Sequence, residues 1–253
     1  MLVVKSLWIG DSLGDLEINC IKSHLRVGHI FILYVYNHVD LVPHGTIIKD
    51  ANEILNQDNL PNEEHGLYPL ADLFRFFLMY KKGGIWVDMD MFATRHWSLL
   101  EDKEYVFSSE RTIQKGAYRN RTKQVISNIG VLKAPPRSSF YAEVVRHLMS
   151  PNFKVKRRDS YMVELRKMMD IFDMNKYVVD FYLFCPVDWW NAKEMFLDED
   201  FIEKYGVEPM SKKDVLDKSL GIHFWRHLIM NKYSKLCLTK HFGNRSIYKQ
   251  FIH

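Results

Sequence analysis

The chain has 253 residues, of which 47% are apolar and 26% charged, and it carries a formal net charge of +4. This composition is typical of a soluble globular protein, and the mild charge lacks the clustered stripe of a nucleic-acid-binding protein, so we expect no nucleic-acid partner. The three cysteines, Cys20, Cys185 and Cys237, form no C-x-x-C pattern. This excludes a structural zinc site of the usual spacing and predicts reduced thiols in a reducing compartment.

A strand-helix-strand unit opens the chain. The apolar run "LVVKSLWIG" (2–10) ends in a turn, residues 15–27 have helical spacing, and residues 29–37 are rich in β-branched and aromatic side chains. Such a βαβ unit implies a parallel sheet covered on both faces. The predicted fold class is therefore α/β, with a Rossmann-like and mainly parallel central sheet flanked by helices.

The strongest helix pattern follows a loop-rich stretch and covers residues 69–84, where Gly83 or Gly84 supplies the left-handed stop. The run "IWV" then enters the sheet and delivers Asp88 and Asp90 to its carboxyl end.

The rest of the chain continues the same alternation. We predict strands at 104–110 and 125–135, helices at 138–149 and 161–172, and, within 177–190, a strand-like segment that lasts until Pro186. No domain boundary is visible, so we expect a single domain over 1–253, with a donor-binding part at about 1–135 and an acceptor part at about 136–253.

No segment is apolar for the ~18 residues that a membrane span needs, and the N-terminal run is too short for a signal peptide. The sequence predicts a cytoplasmic protein. Two basic segments, 154–160 and 231–253, leave open a peripheral contact with a membrane surface. Nothing in the sequence indicates an oligomeric state.

Asp88 and Asp90 form a D-x-D pair. Residues two apart on a strand share one face, so both carboxylates point the same way if the strand persists, and together they suit a hard divalent cation. In open α/β sheets the ligand crevice lies at the carboxyl ends of the strands. About one such pair is expected by chance, and Asp198 and Asp200 form a second one in an acidic segment that we interpret as solvated.

Asp72 and Arg75 lie three residues apart on the predicted helix and are therefore neighbours on its surface. The rest of this helix is apolar. The two charges are either an internal ion pair or contacts to a ligand, and the pair alone does not decide between them.

Taken together, "ADLFRFFLMYKKGGIWVDMD" (71–90) resembles the A-D-x-x-R…G-G-x-Y-x-D-x-D signature of glycosyltransferases with the GT-A fold. The nearest groups are the family of initiating α-1,6-mannosyltransferase and α-1,4-galactosyltransferase, and enzymes of capsular polysaccharide synthesis. Trp86 stands where Tyr is commoner, which keeps an aromatic ring.

The resemblance implies a metal-dependent enzyme that moves a hexose from a nucleotide-sugar to a hydroxyl of a glycan or glycolipid, with retention of configuration. The donor would be a UDP-sugar or GDP-mannose, and the cofactor Mn²⁺ or Mg²⁺.

The resemblance also assigns roles to residues. Metal binding falls to Asp88, Asp90 and His223, the last in "GIHFWRH" (221–227), and the catalytic candidates are Asp88, Asp90 and Asn128. The residues expected to contact the nucleotide-sugar are Trp8, which would stack on the base, Asp72, Arg75, Gly84 and Trp225. Trp189 and Trp190 are candidate platforms for the acceptor, without a motif behind them.

Two alternatives stay open. A phosphatase of the haloacid dehalogenase type also places D-x-D after an apolar strand, with Asp88 as its nucleophile, but it leaves the upstream helix unexplained. A non-catalytic nucleotide-sugar-binding module would use the same site without turnover. No residue stands out in the sequence as a covalent nucleophile or base, and help from the departing phosphate would explain this.

Overall fold

The computed structural model describes residues 1–56, 67–115, 121–154, 160–229 and 243–252. Its strands are β1 (Val3–Trp8), β2 (Ile30–Val35), β3 (Ile47–Asp50), β4 (Gly84–Val87), β5 (Met91–Ala93), β6 (Val106–Lys115), β7 (Arg121–Ala134) and β8 (Gly221–His223). Its α-helices are α1 (Asp15–Arg26), α2 (Leu67–Lys81), α3 (Ser139–Leu148), α4 (Ser160–Ile171) and α5 (Lys212–Lys218).

The central sheet has six strands in the order β3-β2-β1-β4-β7-β6. Strands β3, β2, β1 and β4 run parallel, whereas β7 is antiparallel to both of its neighbours. A second, two-stranded sheet pairs β5 with β8. The predicted fold class, α/β with a mainly parallel central sheet flanked by helices, is confirmed.

Apolar clusters cover both faces of the central sheet, as parallel strands require. Side chains alternate along β4, so Trp86 packs into the cluster that contains Phe74 of α2, while Ile85 and Val87 pack on the other side with Ile21 of α1. Burial on both faces explains why these strands are continuous apolar runs in the sequence.

Helix α2 ends at the predicted glycine stop. The Gly83 N–H donates to the Leu78 carbonyl oxygen over 3.1 Å, and its φ of 55° lies in the left-handed region. A Cβ at this position would lie 2.4 Å from the backbone nitrogen of Pro136. Only glycine therefore lets α2 turn directly into β4.

The prediction of a strand from residue 177 to Pro186 is wrong. Over this described stretch the chain forms the short 3-10 helix Phe181–Leu183, and a single isolated bridge joins Val178 to Phe107. The apolar run reflects burial of Phe184 and its neighbours in a core, and burial alone does not distinguish a strand from a packed loop. Conversely, β3 forms within a stretch that we expected to be loop-rich.

Several expectations concern segments that the structure describes only in part. Residues 155–159 and 230–242, which contain most of the two basic segments, lie outside the described residues, as does Cys237. Cys20 and Cys185 are buried free thiols, as predicted. None of the described helices has the length and apolar character needed to cross a membrane.

Candidate active site

The D-x-D pair lies in a turn and not in a strand. Strand β4 ends at Val87, and the Asp88 N–H then donates to the carbonyl oxygen of Gly130 on β7 over 2.9 Å. The Met91 N–H donates to the Asp88 carbonyl oxygen over 3.0 Å, which closes a tight turn before β5. The expected strand alternation is therefore not what brings the two carboxylates together.

Asp88, Asp90 and His223 converge at this turn. One ligand atom of each lies within 4.8 Å of the others, and no other such group of three occurs in the part of the chain that the structure describes. Pairing of β5 with β8 sets Met91 opposite His223, and His223 Nε2 then lies 3.2 Å from Asp90 Oδ1. The other Asp90 oxygen accepts from the backbone N–H of Arg226 over 2.7 Å.

The charges of these groups are strongly linked. Burial would raise the pKa of Asp90, but the charge and hydrogen bond of His223 lower it to about 2. Burial likewise opposes protonation of His223, yet the Asp90 carboxylate holds its pKa well above the usual range. Burial raises the pKa of Asp88, against the attraction of Arg75. Asp90 and His223 therefore stabilise each other's charged forms, and Arg75 does the same for Asp88.

Asp72 and Arg75 form the internal ion pair, and Arg75 also holds the D-x-D turn. Its guanidinium lies 3.0 Å from Asp72 Oδ1 and 2.8 Å from Asp88 Oδ1. It also donates to the Ile129 carbonyl oxygen over 2.6 Å and covers the ring of Trp86 at 4.8 Å. Asp72 and Arg75 also line the adjoining cavity. The two residues can therefore form an ion pair and contact a ligand at the same time.

A cavity of about 880 Å³ lies at the carboxyl ends of β1 and β4. The predicted site residues that line it are Trp8, Asp72, Arg75, Asp88, Asp90, Asn128, His223 and Trp225. Trp189 also lines it, whereas Trp190 is buried elsewhere. Among the metal-binding, catalytic and nucleotide-sugar-binding candidates, the structure thus brings together all except one.

The exception is Gly84. It begins β4, at the end of the strand away from Asp88, and it is not part of the cavity wall. Its φ of 83° favours glycine, and an added Cβ would lie 2.8 Å from Lys5 Nζ. The structure therefore gives Gly84 a backbone role away from the cavity, whereas the resemblance predicts a contact with the nucleotide-sugar.

The two predicted tryptophans differ in how freely they face the cavity. Trp8 is half-buried, donates to the Ser12 carbonyl oxygen over 3.1 Å, and lies 5.3 Å below the guanidinium of Arg226. Trp225 is almost fully buried and donates to the Val187 carbonyl oxygen over 2.9 Å. Trp8 has a ring face to offer a ligand, while Trp225 belongs largely to the core beneath His223.

Asn128 has no unused polar atom with which to bind a sugar. Its carbonyl oxygen accepts from Ser108 Oγ and from the Gly130 N–H, and its amide donates to Glu110 Oε2 over 3.1 Å and to Cys185 Sγ over 3.0 Å. An amide has two N–H groups, and both are used here. Asn128 therefore positions Glu110, a lining residue that the sequence analysis missed. The available signal was its place at the end of the predicted strand 104–110.

Residues 17–109 match a protein family described as "Glycosyltransferase sugar-binding region containing DXD motif". The matched stretch contains the α2 helix and the D-x-D turn. This match confirms the prediction of a glycosyltransferase.

Two solved structures are similar to the chain at low identity. "PaToxG Glycosyltransferase" is 10% identical with a TM-score of 0.41, over 68% of this chain and 70% of that one. The apo-form glycosyltransferase GlyE of Streptococcus pneumoniae TIGR4 is 12% identical with a TM-score of 0.41, over 72% of this chain and 45% of that one. Similarity at this level carries no argument about substrate. No curated protein matches the chain.

Proposed function

Because the chain is a glycosyltransferase, we propose that it transfers a hexose from a UDP-sugar or GDP-mannose to a hydroxyl group of a glycan or glycolipid, with the help of a divalent metal ion. The observation that carries this proposal is the convergence of Asp88, Asp90 and His223 within 4.8 Å at the wall of a large cavity. Cytoplasmic location and contact with a membrane surface stay predictions.

The residues present fit the expected metal. Two carboxylates and one imidazole offer two oxygens and a nitrogen, a donor set that suits Mn²⁺ and leaves coordination positions for phosphate oxygens. When bound, the ion would neutralise the charge that develops on the departing nucleoside diphosphate. The Arg226 N–H holds one Asp90 oxygen in place and leaves the other directed at His223.

The cavity has the volume and lining that a nucleotide-sugar needs. About 880 Å³ falls within the range of small-molecule sites. Trp8 on β1 offers a ring face for the base, and the Asp72–Arg75 pair on α2 offers polar groups for sugar hydroxyls. Gly130 keeps the wall open beside the metal ligands, since a Cβ there would lie 3.7 Å from Asp88 Oδ2.

Retention of configuration belongs to the proposal through the family resemblance. In a retaining reaction of this kind, the acceptor hydroxyl attacks the anomeric carbon on the same face of the sugar from which the diphosphate departs. Polar groups that are already fixed by their neighbours, such as Arg75 and Asp88, stabilise developing charge without reorganising.

The test is incubation with a panel of UDP- and GDP-sugars and Mn²⁺, with release of nucleoside diphosphate as the measurement. We expect slow hydrolysis of one donor, which is abolished by a chelator and by Asp90→Ala. Asp200→Ala changes the exposed second D-x-D pair and is the matched control, which should keep full activity.

The alternatives give different results in the same assay. A phosphatase releases phosphate from simple phosphoesters and forms a phosphoaspartate at Asp88, whereas a binding module raises the melting temperature with a donor but never turns it over. If no donor binds or reacts with any divalent metal, the proposed transferase function is wrong.

A further inference from the structure

Glu110 lies on β6, two strands away from β4, the strand that the D-x-D turn follows. Along the sheet order, Trp8 belongs to β1, the D-x-D turn follows β4, Gly130 belongs to β7, and Glu110 to β6. All four positions line the same cavity. If the base of a donor stacks on Trp8 and its diphosphate meets the D-x-D turn, Glu110 lies on the far side of that turn from the base, where the sugar and an acceptor hydroxyl would meet.

Glu110 differs from the other carboxylates of the cavity wall. Asp72 and Asp88 both pair with Arg75, and Asp90 pairs with His223. Within the described ranges, Glu110 has no ion-pair partner, and its side-chain hydrogen bond comes from the neutral amide of Asn128. It is thus the lining carboxylate whose charge is least compensated by a cation in direct contact.

The hydrogen bonds of Asn128 fix the orientation of Glu110. Asn128 is held through its carbonyl oxygen by Ser108 and Gly130, so its amide presents one N–H to Glu110 Oε2. That bond occupies one carboxylate oxygen, and Oε1 has no hydrogen-bond donor among the described residues. Burial raises the pKa of Glu110 above its usual range, which makes its carboxylate a stronger base.

Resting on the proposed function, we infer that Glu110 is a catalytic residue that binds the attacking hydroxyl group of the acceptor and accepts its proton. As the hydroxyl oxygen forms its bond to the anomeric carbon, the bond from that carbon to the diphosphate breaks. The diphosphate leaves with the electron pair, and the proton passes to the Glu110 carboxylate and not to the departing phosphate, so that Glu110 is the base that the sequence pattern did not indicate. Water takes the place of the acceptor during donor hydrolysis, so the same residue serves both reactions.

The test uses Glu110→Gln, which keeps the shape of the side chain and an oxygen to accept from Asn128 but removes the base. The probe is the nucleotide-sugar that the wild-type protein hydrolyses fastest, with Mn²⁺. We expect kcat for hydrolysis to fall about 100-fold or more, the usual range for loss of a general base, while donor affinity stays within about threefold. Glu203→Gln, at an exposed position outside the cavity, is the matched control.

A second variant, Glu110→Asp, keeps a carboxylate but withdraws it by one methylene. We expect its kcat to lie between those of the wild type and Glu110→Gln, and this comparison remains available if the Gln variant is poorly folded. Wild-type hydrolysis in Glu110→Gln, a kcat of Glu110→Asp below that of Glu110→Gln, or a parallel loss of donor affinity would each overturn the inference while the transferase function stands. Failure of the wild-type protein to bind or hydrolyse any donor would instead overturn the proposed function.

Discussion

The guanidinium of Arg75 lies 2.8 Å from the carboxylate of Asp88, so helix α2 and the D-x-D turn form one unit. The two residues belong to the two halves of the signature at 71–90, and their contact gives that signature a physical basis. The helix supplies the cation that orients the first aspartate and favours its ionised form against the effect of burial, and the glycine stop at Gly83 sets the distance between the two halves.

Replacing Arg75 should destabilise the fold substantially. Arg75→Met leaves the buried carboxylates of Asp72 and Asp88 without their shared cation, and removing one partner of a buried pair typically costs about 3 kcal/mol or more. Urea unfolding should therefore show a lower free energy of unfolding. Mn²⁺ should restore part of the loss, because a cation bound near Asp88 would compensate the same charge.

Arg146→Met is the matched control, since Arg146 pairs with Glu143 on the exposed side of α3. Exposed pairs of this kind contribute little to stability, because solvent and salt screen them. Equal losses in the two variants would contradict a structural role for the Arg75–Asp88 contact.

His223 should govern metal affinity. His223→Gln removes the nitrogen donor from a site whose other ligands are Asp88 and Asp90, so we expect Mn²⁺ affinity to fall at least about tenfold. Isothermal titration with Mn²⁺ measures this directly. His147→Gln, at a half-exposed histidine that faces Glu164 on α4, should leave the affinity unchanged.

The size of the side chain at position 130 should determine how much space a donor has beside the metal ligands. An added Cβ would lie 3.3 Å from Met91 Cε and 3.7 Å from Asp88 Oδ2, contacts that a flexible methionine end can relieve. We expect Gly130→Ala and Gly130→Val to fold, with β-propensity offsetting part of any strain and stability changing by about 1 kcal/mol at most. Donor hydrolysis should fall in the order Gly, Ala, Val; equal rates in all three proteins would show that this wall does not contact the donor.

The local part of the site could be predicted from the sequence. Helix α2, its glycine stop and the two aspartates lie within one short stretch, where pattern and spacing are informative. The geometry within that stretch was predicted for the wrong reason, because Asp88 and Asp90 converge through a turn that the alternating strand pattern does not indicate.

The other parts of the site depend on contacts between segments that are distant in the sequence. His223 reaches Asp90 only because β5 pairs with β8, and three-residue strands leave no pattern in the sequence. Glu110 meets Asn128 through the pairing of β6 with β7, whose register is not visible in either segment alone. The strand expected from residue 177 to Pro186 is absent from this described part of the chain for a related reason, because an apolar run indicates burial and does not indicate hydrogen bonding between strands.

Stability should fall as the pH drops below about 6.5, because two histidines are buried in neutral form beneath the D-x-D turn. Burial lowers the pKa of His24 to about 3 and that of His29 to about 4, while the ordinary value is 6.5. Between these limits the unfolded chain binds protons that the native state does not. The free energy of unfolding therefore decreases with falling pH, by up to about 1.4 kcal/mol per pH unit for His24 alone.

The hydrogen bonds define which nitrogen of each ring carries the proton. His24 Nε2 lies 2.8 Å from the Met91 carbonyl oxygen and must donate to it, while His29 Nε2 accepts from the Trp97 N–H over 3.1 Å. His29 therefore carries its proton on Nδ1 and donates it to His24 Nδ1 over 3.1 Å. Protonating His24 puts a hydrogen on both contacting Nδ1 atoms, and protonating His29 puts one on the Nε2 atom that accepts from the Trp97 N–H, so either event breaks this chain. Urea unfolding at pH 5 and pH 7 tests the slope, and nitrogen-15 NMR of the two rings tests the tautomers. Equal stability at both pH values would contradict the neutral pair.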